Sequence, residues 1–333
     1  RGRRGMPMHG FDAEFEDLPD YIVKITERIW EGRAIGAIRR YYADDCPMYT
    51  SLGPASGVPA IIAGTIDTLN AFPDRRLLPE DIVWSGDDRR GFLSSHRIIA
   101  PATHLGPGPF GAPTGRAVAF RTIADCFCVG NRIVEEWLAR DQAGIALQLG
   151  LDPEALAIQL AARDVAAGKT PWHLEAARQL RAEGRFREPV LQTHAAAVTV
   201  REGLDAVWNR AELDRVAELY HPACTVHVPG DRTLHGPERV NRWLFGYLGA
   251  FPDARVHVEH SIALEQPGQP VRVATRWWLT GTHTGHGAFG APSGATVLLL
   301  GITHSNLVNG RIRDEWVVAD ELALRKQIAL QRG

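Results

Sequence analysis

The sequence predicts an α+β protein built of two tandem cone-shaped domains, each with helices packed in a curved antiparallel sheet. Three observations predict it: a constant-offset internal repeat, the same order of helical and strand patterns in each copy, and an unrepeated helical stretch between them. Residues 103–117 read THLGPGPFGAPTGRA and residues 282–296 read THTGHGAFGAPSGAT. Residues 131–141 read NRIVEEWLARD and residues 310–320 read GRIRDEWVVAD. Phe72-Pro73-Asp74 recurs as Phe251-Pro252-Asp253, an offset of 251 − 72 = 179 that also relates His104 to His283 and Asp141 to Asp320. Upstream the offset is 178, relating Trp30 to Trp208 and Cys46 to Cys224, so one residue separates the copies in the loop after the cysteine. Rare residues superposed over some hundred positions mark a duplication.

Each copy opens with a helical pattern, Leu18 to about Tyr42 and His194 to about Tyr220, carried by Ile22, Ile25 and Ile29 in one and Val200, Leu204 and Val207 in the other. A short strand is expected at Cys46–Thr50 and Cys224–Val228. A second helix follows Gly57-Val58-Pro59 and Gly236-Pro237-Glu238, with proline in its first turn, where a missing N–H costs nothing. Past Phe-Pro-Asp the pattern turns to strands that flank the glycine-rich turn and end in the Trp-containing run. Residues 150–193 have no counterpart. They open on Asp152-Pro153-Glu154, a strong helix start, break at Gly168-Lys169-Thr170-Pro171 and resume to about Glu183. The expected division is a tail at 1–17, domains at 18–148 and 196–330, and a helical connector at 149–195. Face-to-face pairing of the copies as a pseudo-dimer is the expected assembly, either as a monomer or as a homodimer of it.

Composition excludes several function classes. With 37 Lys+Arg against 39 Asp+Glu the net charge of −2 offers no long-range attraction to nucleic acid. No run of about 18 uncharged apolar residues points to a membrane span. The Arg1-Gly2-Arg3-Arg4-Gly5 segment lacks a following apolar stretch and is expected to be a flexible tail or an appended segment rather than a signal peptide. Four scattered cysteines, Cys46, Cys126, Cys128 and Cys224, read as buried thiols in a reducing cytoplasm.

The pattern Thr-His-x-Gly-x-x-x-Phe-Gly-x-Pro-x-Gly, an apolar strand, then Gly-x-Ile-x-x-x-Trp-x-x-x-Asp in the second copy (Asn-Arg-Ile in the first) resembles the SnoaL-like polyketide cyclases of the nuclear-transport-factor-2-like superfamily. The resemblance implies a conical fold that hosts many chemistries, and an aspartate acting as general acid/base in an aldol closure at the position of Asp141 and Asp320. Strand alternation puts Trp137 with Asp141 and Trp316 with Asp320 on one face, which the bulky indoles mark as concave. A carboxylate in an apolar cone would have a raised pKa; capping a strand end, or pairing with Arg121 or Arg325, is the structural alternative. His104 and His283, before the glycine turns, are candidates to polarise a carbonyl or to hold the turn. In the penultimate strands Asp125 corresponds to His304 and Phe127 to Asn306, so the two cavities are expected to differ chemically. Phe110 and Phe289 complete the candidate substrate-binding set with Trp137, Trp316, Phe127 and Asn306.

Gly106-Pro107-Gly108-Pro109-Phe110-Gly111 and its second copy match G-x-G-x-x-G, but a strand, not a helix, is expected to follow, so no nucleotide cofactor is expected. His283-x-x-His286 lies in a turn without a partnering Glu, and no metal is expected either. The reading is a cofactor-independent lyase or isomerase (aldol cyclase or dehydratase type) using Asp/His acid–base chemistry on a small hydrophobic carbonyl compound. A non-catalytic small-ligand binder of the same fold is the alternative, and an epoxide hydrolase using Asp125, Arg121 and Asp141 a weaker one.

Overall fold

The computed structural model describes residues 8–332; the expectation for residues 1–5 lies outside them. Two compact units divide the chain between Arg140 and Asp141. Both are α+β, with antiparallel meanders following their helices.

In the first unit, α1 (Leu18–Trp30) starts at Asp17, whose side chain accepts from the Asp20 N–H at 2.9 Å. It buries Leu18, Ile22, Ile25 and Ile29 along one stripe. The single long helix expected here is broken: Gly32 and Arg33, the latter at φ +56°, end α1 before a 3₁₀ turn and the short α2 (Ile38–Tyr41). Strands β1 (Pro47–Thr50) and β2 (Gly53–Ser56) lead to α3 (Val58–Ala71) through Gly57, whose φ of +85° suits glycine. Then come β3 (Leu78–Asp87), β4 (Gly91–Thr103), β5 (Ala117–Val129) and β6 (Arg132–Arg140). The sheet order is β2-β1-β6-β5-β4-β3. All neighbours are antiparallel except β1 and β6.

The second unit repeats this with additions. It opens on α4 (Gln142–Gln148), α5 (Pro153–Ala166), α6 (Trp172–Glu183) and β7 (Val190–Leu191). The repeat follows: α7 (Ala195–Leu204), a π turn and α8 (Val216–Leu219), then β8 (Tyr220–Val228), β9 (Arg232–His235) and α9 (Pro237–Ala250). It ends with β10 (Arg255–Leu264), β11 (Val271–Thr282), β12 (Thr296–Val308), β13 (Arg311–Ala319) and α10 (Glu321–Ala329). Here too the expected long helix is interrupted, at Ala211 with φ +54°. The sheet runs β7-β10-β11-β12-β13-β8-β9.

The connector helices form where Asp152 and Pro153 predict them, and they pack on this unit. Glu154 pairs with Arg325 at 3.0 Å and with Arg332 at 2.8 Å, and Asp164 with Lys326 at 2.8 Å. Trp172 and Phe186 set their rings edge-on against Trp278 of β11. Two connector residues also add β7 to the sheet, alongside His260 and Ser261 of β10. The stretch 142–148, expected to close the first repeat, packs against α5 and α10. No helix among the described residues is long and apolar enough to cross a membrane.

Candidate active site

The sheet of the first unit curls around α1, α2 and α3 and leaves a cavity of about 300 Å³. Its strand lining decides which face is concave. His96 and Ile98 of β4, Thr122, Ala124 and Cys126 of β5, and Glu136, Leu138 and Arg140 of β6 point inward. Trp137 and Asp125 therefore sit on the opposite face, because neighbours along a strand alternate. The expectation that the tryptophan marks the concave face is corrected. Trp137 stacks on Tyr49 with ring centres 5.6 Å apart. A large buried side chain identifies a covered face, and here both faces are covered.

Asp141 moves with it. It lies just past β6, does not line the cavity, and caps α4. Its carboxylate accepts the N–H groups of Gly144 (2.9 Å), Gly230 (2.9 and 3.0 Å) and Asp231 (3.0 Å). Burial raises its pKa and these N–H donors oppose the rise. Asp320 likewise caps α10, accepting from the Ala323 N–H at 2.9 Å. Asp125 and Phe127 lie on the outer parity of β5, and His304 and Asn306 on the corresponding parity of β12. Trp316 stacks on His227 at 5.6 Å. Arg121 forks onto Glu80 at about 3.0 Å rather than onto an aspartate.

His104 and His283 hold the glycine turns. Nδ1 of His104 accepts from the Thr114 N–H at 3.3 Å, which leaves the proton on Nε2. Nδ1 of His283 meets the Ser293 hydroxyl at 3.0 Å. Each imidazole packs on a phenylalanine, Phe72 or Phe251, and burial lowers both pKa values. Phe110 packs on Phe72 and His104, and Phe289 on Tyr247 and Phe251; neither is among the residues lining the two cone cavities. Both turns join antiparallel strands, as expected.

The cavity collects a different set. Glu136, 7% exposed, sits opposite Cys126 in the β5–β6 ladder. Burial pushes its carboxyl up to about 7, against the pull of the Tyr42 hydroxyl, its hydrogen-bond donor, and of the Arg140 charge. His96, 3% exposed, is pushed down to about 4 by burial, so its imidazole is neutral at pH 7. Nε2 of His96 has no hydrogen-bond partner among the described residues. Arg75, 1% exposed, lies 4.8 Å from the Trp30 ring centre and 5.0 Å from that of Phe120. The rest of the lining is mostly aliphatic. One clue to this set was present in the sequence: Glu136 and Glu315 recur at the 179 offset, and Tyr42 and Tyr220 at 178.

In the second unit the matching space shrinks to about 30 Å³. Ile98 corresponds to Trp277 (98 + 179) and Thr122 to Gly301 (122 + 179), and these residues pair across their strands in each sheet. The Trp277 indole lies where a Cβ on residue 301 would be, and its Nε1 donates to Thr303 at 3.0 Å. Glu315 is satisfied at both oxygens, by the Tyr220 hydroxyl at 2.6 Å and the Ser305 hydroxyl at 2.7 Å.

This architecture, two helix-lined sheets each cupping its own core, defines a conical α+β protein present in two copies. The chain belongs to the SnoaL-like polyketide cyclase family, whose sequence model matches residues 21–149 and 198–328. Among solved structures it is similar to a SnoaL-like polyketide cyclase from Agrobacterium tumefaciens, at 18% identity and a TM-score of 0.35, over 40% of this chain and 99% of that one. It is also similar to TsrD from Streptomyces laurentii, at 16% identity and a TM-score of 0.36, over 42% of this chain and 98% of that one. No curated protein matches the chain.

Proposed function

We propose that the first unit carries the activity, a lyase or isomerase reaction of the aldol-cyclase or dehydratase type on a compact hydrophobic carbonyl compound. The observation that supports this is a buried carboxyl group poised near neutrality in an otherwise largely apolar cavity, with a phenol donating to it. Ionised Glu136 takes a proton from the carbon next to the carbonyl. A general base works best when its pKa lies near the operating pH. Neutral His96, whose Nε2 has no hydrogen-bond partner among the described residues, is the donor available to the enolate oxygen, and a preorganised donor in a dry site stabilises such charge strongly. This moves the acid–base role from Asp141, whose two oxygens accept backbone N–H groups, and from Asp320, whose Oδ1 caps α10. The filled cone favours a non-catalytic role for the second copy. Four free, buried cysteines agree with a cytoplasmic setting. The test is deuterium exchange at the α-carbons of 2-tetralone in heavy water, followed by NMR. The wild-type chain accelerates it and Glu136→Gln does not; equal rates in the two would remove the proposal.

A further inference from the structure

The geometry points to a carboxylate-bearing ligand: the first unit's cavity binds a compact apolar acid whose anionic group sits on Arg75, with Arg140 beside it. This rests on the acid–base reading only for placing the reacting carbon near Glu136; the binding itself does not require that reading.

Arg75 lines the cavity from the loop after α3, and Nε and Nη1 of its guanidinium have no hydrogen-bond partner among the described residues. A guanidinium so deeply buried is costly unless its charge is met. The aromatic faces of Trp30 and Phe120 offset part of that cost. Glu31 acts on it from a distance while one of its oxygens accepts the Leu77 N–H at 2.6 Å. Arg140 lines the same cavity and adds a second positive charge, which further depresses the Arg75 pKa. Glu136 is the remaining acidic group of the lining, and burial favours its neutral form. An incoming carboxylate supplies acceptors for the open guanidinium N–H groups, which suit bidentate recognition.

The duplication supplies an independent observation. At the 179 offset Arg75 becomes Ala254, Arg140 becomes Ala319 and His96 becomes Thr275. In the copy whose cone is filled, both cations are gone while the Glu–Tyr pair persists as Glu315 and Tyr220. Glu and Tyr thus belong to the fold of both copies, whereas the arginines accompany the open cavity alone. Size restricts the ligand further: about 300 Å³ is at the small end of ligand cavities, which span about 300–1,000 Å³, enough for one or two fused rings.

Calorimetric titration of the full chain with 2-naphthoate and its neutral isostere 2-naphthamide tests the inference. Naphthoate is expected to bind once per chain, about tenfold or more tighter than naphthamide, as a charge-assisted pair predicts. Arg75→Met, which replaces a buried cation by an apolar side chain of similar length, is expected to erase that preference and keep naphthamide binding. Arg75→Lys is expected to retain part of the preference. Ile98→Trp with Thr122→Gly, which copies the second unit's filling, is expected to abolish binding of both compounds. Naphthamide binding as tightly as naphthoate, or an unchanged preference in Arg75→Met, would overturn the anion site. Glu136's proposed role would stand in that event, since it is read from 2-tetralone exchange and not from naphthoate affinity.

Discussion

The two cones share a backbone plan and differ in what fills them. In the first, Ile98 faces Thr122 across an open wall, and Glu136, His96, Arg75 and Arg140 surround a void. In the second, Trp277 lies over Gly301 and occupies the space, and Glu315 is bound on both oxygens. The pairing of Glu with Tyr occurs at both sites and so does not separate the copies. What separates the copies is room beside the acid and the charged groups around it.

The largest effect that would sharpen this comparison is on rate. Glu136→Gln is expected to lower 2-tetralone exchange by about 10²–10⁴, while Glu315→Gln changes it by less than about twofold. Loss of exchange in Glu315→Gln alone would place the working site in the second unit.

Stability separates the cones next. Gly301→Ala drives a methyl group into the Trp277 indole and is expected to cost about 1–3 kcal/mol in chemical denaturation. The matching change Thr122→Ala borders empty space, removes a hydroxyl that has no hydrogen-bond partner among the described residues, and is expected to shift stability by less than about 1 kcal/mol. Equal costs would mean that the first cavity closes readily in solution.

Protonation gives a third contrast. Because folding raises the Glu136 pKa from 4.5 to about 7, the native state holds a proton that the unfolded chain has released. Stability therefore falls as pH rises from about 5 to about 7, by about 1–3 kcal/mol relative to Glu136→Gln, which carries no such proton. Urea midpoints of the two chains should diverge over that interval, with the wild type losing ground. Parallel midpoints would show Glu136 to be better solvated than its burial implies.

The smallest effect is expected where the copies agree. His104→Ala and His283→Ala each release a glycine turn and should cost about 1 kcal/mol, with exchange altered less than about twofold. A large rate loss in His104→Ala would return that residue to the catalytic set.

The repeat, the fold class and the order of helices and strands in each copy were legible because superposed rare residues and period-two patterns depend on local sequence. The broken first helices were not, since Arg33 and Ala211 carry no special signature for their positive φ. The concave face was not legible, for one physical reason. An indole such as Trp137 demands burial and so points to a covered face, yet the outer face is buried as well. Asp141 then followed Trp137 by parity, although its backbone partners, Gly230 and Asp231, lie ninety residues downstream, where no local pattern reaches. Arg75 and His96 looked unremarkable in isolation, and only their loss in the second copy distinguishes them.

The Trp277–Gly301 pair also locks two positions together. Tryptophan at 277 cannot be accommodated while residue 301 bears a side chain, and glycine at 301 beside a small residue leaves a hole in a strand wall. With the indole in place, any enlargement at 301 is harmful. Reopening that cone by single substitutions therefore runs uphill at the first step, whichever of the two positions is changed first.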